Sequence, residues 1–465
     1  EKNYDWMGSV ALYRTALSMV PEQDVKKAGE VHERVGYGLF RAAAQADGVE
    51  EFKKRMRMSV ESYEKAAELL EKVDSAKGLY CKAMARYSES WFVEDPSRKK
   101  ELLDDCWRLM KEALERFDAA GDNLSYGKAF RSLSFCQWDR YEMEWDWRER
   151  RRIAEETVRY GQTAIAKLSQ IGDVDELAWA YTVALFFMVY AFAAMEERAK
   201  EFGPTISNYT EKALRLSEKK EDAYLITLLY TALFWNSFYV AGDSQAALGY
   251  AEKSLQQSER ANDHSLLGGA YFLLDFVTFW ASVAEEDPDK LKEKLRMSAQ
   301  YAEESIRHSL LVRNYSMVSW AYGAYLIEEY YSLAELETTL EEKRALLQRA
   351  IEIGRKGSEY SQLSDSPYGT ANTLHTLSKA LFFLSEIETS IGEKKRLLEE
   401  ALELRERFTR IVDQAVAPNV WSSGVGYNYL ALIKADLAEI EENEEKKRHL
   451  LEEAVSSMEK CLEIC

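Results

Sequence analysis

The stretch YAEKSLQQSERAND, Tyr250–Asp263, restates YTEKALRLSEKKED, Tyr209–Asp222. Both carry an aromatic residue, a small residue four places on, and an Asp or Asn nine places beyond that. The same pattern fits Tyr160, Ala164 and Asp173, and Tyr301, Ser305 and Asn314. With Leu in first place it fits Leu109, Ala113 and Asp122, and with a shorter tail Tyr63, Ala67 and Asp74. Successive junctions, from Asp74 to Asp365, lie 48, 51, 49, 41, 51 and 51 residues apart. A unit of about fifty residues is two helices of about twenty residues with turns between them.

Each unit reads the same way. The junction Asp or Asn is placed to cap a first helix, A. A small residue follows seven positions on, at Ala129, Ala180, Ala270 and Ala321. After a turn such as AGDS (Ala241–Ser244) or EEDP (Glu285–Pro288), a second helix, B, carries the aromatic and small residues. Four residues apart on one helix they share a face, so the small residue lets a neighbour approach while the ring fills the space beside it. Such pairs bury their apolar faces only by stacking on one another.

Composition agrees with an all-α chain. Only 6 Pro and 22 Gly interrupt 465 residues rich in good helix formers. A net charge of −19 argues against nucleic acid and anionic membrane surfaces, which need a basic stripe. Five scattered cysteines, Cys81, Cys106, Cys136, Cys461 and Cys465, suggest neither a disulfide framework nor a zinc site. No apolar run is expected to match the ~18–20 residues of a membrane span. With no leader evident either, the expected location is cytoplasmic, and the Glu and Lys bias fits a thermophilic source.

The aromatic four residues before Ala or Ser in helix B, and the small residue early in helix A, resemble the tetratricopeptide repeat, with Tyr209, Ala213, Ala180 and Ala270 at signature positions. The unit is longer than the usual repeat, and the proline that commonly follows helix B is missing. The expected fold is a right-handed superhelical solenoid of stacked antiparallel helix pairs: residues 1–23 a partial repeat or capping helix, residues 24–465 about nine pairs. Residues 9–24 echo a helix B without its partner, and the chain opens on Glu1. The expectation is a piece of a larger protein whose effector domain lies elsewhere, with a capping helix as the alternative.

The chain has no GxxxxGK[ST], GxGxxG or HExxH motif, and its five histidines stand in different units. No catalytic constellation, metal site or cofactor is expected. GVGY, Gly424–Tyr427, reads as a kink or loop. The aromatic residues are more informative. Numbered from the junction, position nine is Phe130, Tyr181, Tyr230, Tyr271 and Tyr322 in five successive units.

The resemblance implies that helix A lines the concave face and that this position faces the groove. There tyrosine would offer apolar area and a hydroxyl. Packing of helix on helix is the alternative for the same rings. His264, Tyr325, Asn236 and Asp275 complete the candidate set, Asp275 because a carboxylate inside LLDFVTF needs a partner or water.

The function expected is a non-enzymatic recognition or sensor module, similar to the sensor domains of signal-transduction ATPases and maltose-type activators. Its groove would take a peptide, a protein segment or a small ligand. A free-standing protein-interaction scaffold is the alternative, and a helical enzyme lacks the expected acidic metal-binding motifs.

Overall fold

A computed structural model describes residues 3–192, 196–217, 221–415 and 424–464. Residues 218–220 of the second quoted stretch, and Cys465, lie outside this range. The described residues form helices throughout, with no strand among them. A single helix α1 (Trp6–Ser18) comes first. Pairs of a helix A and a helix B follow: α2 (Val25–Ala43) with α3 (Val49–Leu70), α4 (Ser75–Ser90) with α5 (Pro96–Ala120), and α6 (Asn123–Met143) with α7 (Trp147–Ile171). Next come α8 (Val174–Phe192) with α9 (Glu196–Ser217), α10 (Ala223–Trp235) with α11 (Ser244–Ala261), and α12 (His264–Val283) with α13 (Pro288–Leu311). In the seventh pair the first helix is α14 (Tyr315–Ala321) and α15 (Ile327–Glu335) joined by a π turn, and it packs on α16 (Leu340–Ser364). Last are α17 (Pro367–Glu386) with α18 (Ile391–Ala415), and α19 (Val425–Ile440) with α20 (Glu444–Ile464).

The repeated pattern earns its place physically. Asp24, Asp74, Asp122, Asp173, Asp222 and Asp263 each accept a hydrogen bond from the backbone N–H two or three residues on, satisfying a donor the helix start leaves free. Before four of these junctions or their counterparts the chain turns through the left-handed region, at Gly121, Gly172, Asn262 and Arg313. The seventh junction is one residue off the expected place: Asp365 takes the left-handed turn, with φ 50°, and Ser366 caps α17. The small residues are buried as the pattern requires, Ala129, Ala164, Ala213, Ser254, Ser305 and Ala321 all to 0 % exposure. GVGY does not form a loop, since Val425, Gly426 and Tyr427 open α19.

The chain divides into two compact units. The first comprises residues 1–141, 151–273 and 307–314. Within it the chain returns onto its own start. The Tyr4 hydroxyl donates to the carbonyl of Glu221 at 2.5 Å and accepts from the N–H of Ala223 at 2.6 Å. The His264 N–H donates to the Ala44 carbonyl, Gln45 reaches the Ala261 carbonyl, and Arg313 reaches that of Phe92. Val312 joins Ala43, Ala46, Phe52 and Met56 in one buried cluster.

The second unit comprises residues 142–150, 274–306 and 315–465. It too contains long-range contacts. Trp145 donates to Asp365 at 3.0 Å, and the Arg150 guanidinium lies 3.7 Å over the Tyr368 ring.

Two helical stretches overturn the expectation about apolar runs. Ala223–Ala241 and His264–Val283 are long and apolar enough to cross a membrane by length and composition, with mean hydropathy 1.3 and 1.5. Most of each is buried within the fold, 56 % and 67 %, as befits helices packed among others.

Candidate functional site

Helix A of the first three pairs, with α1, encloses a cleft of about 500 Å³ in the first unit. Lys27, Glu30, Glu33 and Arg34 reach it from α2, Lys77 and Tyr80 from α4, and Ser125 and Lys128 from α6. Tyr13 and Ala16 of α1 and Phe117 of α5 close the remaining sides. The placement follows the repeat. Numbered from their junctions, Lys27, Lys77 and Ser125 are all fourth, and Glu30, Tyr80 and Lys128 all seventh. These positions are three apart on a helix and share one face.

The electrostatics are uneven. Four cations face two carboxylates in a protein of net charge −19. Glu30 accepts from Lys77 at 3.0 Å and lies 3.8 Å from Lys27. Burial works against its charge, but those two lysines hold its carboxyl below the usual range. Glu33 is different. Burial pushes its carboxyl up despite the charges of Arg34, Lys77 and Lys128 nearby. Tyr80 shares a hydrogen bond with Ser132 at 3.2 Å, and burial raises its hydroxyl too.

The tyrosine ladder lies elsewhere. Position nine is two residues, hence about 200°, round the helix from position seven, and its rings turn onto helix B of their own pair. Tyr181 meets Tyr209 edge to face at 5.1 Å, Tyr230 stacks on Tyr250, Tyr271 on His308 and Tyr322 on Tyr360. Phe130 is at 0 % exposure, where a side chain on Gly161 would strike it. The rings thus serve helix packing, the alternative the sequence left open.

Of the remaining candidates, His264, Tyr325 and Asp275 have partners among the described residues, and the Asn236 side-chain oxygen has none. His264 and Tyr271 both meet His308, the two histidines through their Nδ1 atoms at 2.8 Å. Arg307 donates to His308 Nε2, so His308 is neutral and donates from Nδ1 to His264. Asn236 sits in a π turn, Asn236–Ala241, with a buried carbonyl oxygen. In the second unit the Tyr325 hydroxyl accepts from Trp280 at 3.3 Å. Asp275 does not line the cleft. It is fully buried, accepts from the Ser298 hydroxyl at 2.8 Å, and lies against Glu329. Burial pushes it up to about 7, while the hydrogen bonds of Glu329 and Ser298 pull the other way.

The residues of the cleft were not among the sequence candidates, because aromatic content was read as the ligand signal. What marks them is lysine or glutamate at four of the six places that positions four and seven make in the first three pairs. The next three pairs carry one charged residue there, Glu176, beside Trp179, Leu225, Leu228, Leu266 and Gly269.

No family model matches the chain, and no curated protein matches it. Solved structures do. A signal transduction ATPase with numerous domains, with a tetratricopeptide repeat sensor, from Pyrococcus horikoshii, shares 15 % identity at a TM-score of 0.51 over 88 % of this chain. The fold is a tetratricopeptide-like helical repeat. This tetratricopeptide-like chain spans about half the archaeal protein, 52 % of its length. Human IFIT1, solved as a dimer with m7Gppp-AAAA, matches at 12 % identity and TM-score 0.43 over 97 % of this chain and 93 % of that one. The nuclear import adaptor Nro1 of S. pombe matches at 13 % and 0.32 over 62 % and 94 %. Neither likeness is close enough to bear on function.

Proposed function

We propose that this chain is a non-catalytic recognition module of the cytoplasm, the sensor part of a larger signalling protein, and that it takes its ligand in the cleft of α1, α2, α4 and α6. One observation carries the reading: equivalent repeat positions on three successive helices converge on one cavity of about 500 Å³ and fill it with charge and aromatic rings. That volume lies within the range of small-ligand sites, roughly 300–1,000 Å³. A peptide end or a small polar molecule fits such walls better than a flat protein surface does. Likeness to an archaeal ATPase whose sensor is built of tetratricopeptide repeats supports the signalling role by analogy of fold.

The test is native mass spectrometry on the purified chain, with Tyr80→Ala and Lys128→Glu beside the wild type. A small molecule carried by the wild type should be lost from both variants at unchanged helix content. Retention by both variants would move the site elsewhere.

A second reading, a scaffold for protein partners, is favoured by α20. Leu451, Val455 and Leu462 stand exposed there at 44, 58 and 71 %.

A further inference from the structure

The cleft holds two opposite charges that no hydrogen bond or ion pair among the described residues engages. Glu30, Lys27 and Lys77 satisfy one another. Glu33 on α2 forms no hydrogen bond or ion pair among the described residues, and neither does Lys128 on α6. Lys128 acts on Glu33 through space without touching it. A carboxylate partly withdrawn from water without a donor is costly, and the charges of Arg34, Lys77 and Lys128 lessen that cost without pairing with it.

Each simple ligand class leaves one of the two unanswered. A dianion would face Glu33 with like charge. A cation would meet a cleft whose four basic and two acidic groups leave it positive. An apolar molecule would bury both charges further. Only a ligand with an ammonium at one end and a carboxylate at the other compensates both, and Tyr13, Tyr80 and Phe117 supply an apolar wall between them.

We propose that the cleft binds a short zwitterionic peptide, of two or three residues with free ends, its ammonium on Glu33 and its carboxylate on Lys128. This rests on the cleft being the recognition site.

The experiment uses the full chain and titration calorimetry with free-ended dipeptides, pooled by N-terminal residue. The tightest dipeptide is then compared with its N-acetyl, C-amide and doubly capped forms. Each single cap should weaken binding at least tenfold. Glu33→Gln should weaken the free dipeptide tenfold yet leave the N-acetyl form unchanged, and Lys128→Gln should do the same against the C-amide. Both substitutions are mild at partly buried positions, and helix content by circular dichroism verifies folding.

If no dipeptide pool binds at millimolar concentration, or capped and free forms bind alike, the inference falls. The cleft reading survives either result so long as Tyr80→Ala still strips a carried ligand. If Tyr80→Ala changes nothing as well, both fall together.

Discussion

Asp275 and Glu329 show how a single pair of side chains can set the pH response of a whole unit. Both are fully buried, with Ser298 beside them. Burial raises both carboxyls, and in Glu329 the charge of Asp275 adds to it. Two carboxyls this close cannot both ionise cheaply, so they share a proton. Glu328, next door, pairs with Lys379 at 2.7 Å, and its charge raises Glu329 further.

The sign follows from linkage. An unfolded aspartate gives up its proton near pH 4 (about 3.9), whereas Asp275 in the fold keeps its proton up to about 7. Across that window the folded state binds more protons, so stability is full at the acid end and is lost as pH rises through about 7. The urea midpoint should therefore fall between pH 5 and pH 8, and in Asp275→Asn it should flatten. Equal slopes in the two proteins would show that the pair carries no such proton.

At the scale of the element, the π turn Tyr322–Leu326 has a packing cause. Gly323 lies so close to α17 that a Cβ would sit 2.4 Å from the Thr373 Oγ1 and 2.7 Å from its backbone nitrogen. Thr376 returns a hydrogen bond to the Gly323 carbonyl at 2.9 Å, answering an acceptor that the irregular turn frees. Gly323→Ala should cost about 1–3 kcal/mol through overpacking. Gly249, in α11, faces open space, and Gly249→Ala should instead stabilise by up to about 1 kcal/mol. Thermal denaturation of the two variants decides between them, and a loss in both would point to helix-wide effects rather than to the contact at Thr373.

Elements were legible in the sequence for a reason that also limited what could be read. The junction Asp, the small residue of helix A and the ring of helix B act within one pair or its neighbour, so their spacing survives as a pattern. The cleft depends on which face of helix A turns inward. Here the ring at position nine misled, because a large apolar side chain serves packing and binding equally well. Asp275 was expected to face a cavity, and instead it is fully buried beside Ser298 and Glu329. Its partner, Glu329, lies on another helix, and no local spacing announces it.

At the scale of the molecule, stacked repeats are expected to interact with their nearest neighbours alone. The first unit departs from this. Tyr4, Ala44, Gln45 and Phe92 bond to residues between Glu221 and Arg313. Tyr4→Phe should cost about 0.5–1.5 kcal/mol, the usual net worth of a hydrogen bond at a partly exposed site. Its effect should also spread. Hydrogen exchange is expected to quicken in α1, α2 and α10 together. Quickening confined to α1 and α2 would mean that the contacts add nothing to cooperativity.

These contacts also set an order of events during synthesis. The walls of the cleft are all encoded between Tyr13 and Lys128, whereas the groups that bond to Tyr4, Gln45 and Phe92 arrive with residues 221–264 and 307–314. A chain emerging from the ribosome completes its cleft before those groups exist. Residues 221–264 and 307–314 therefore dock last, onto helices already laid down.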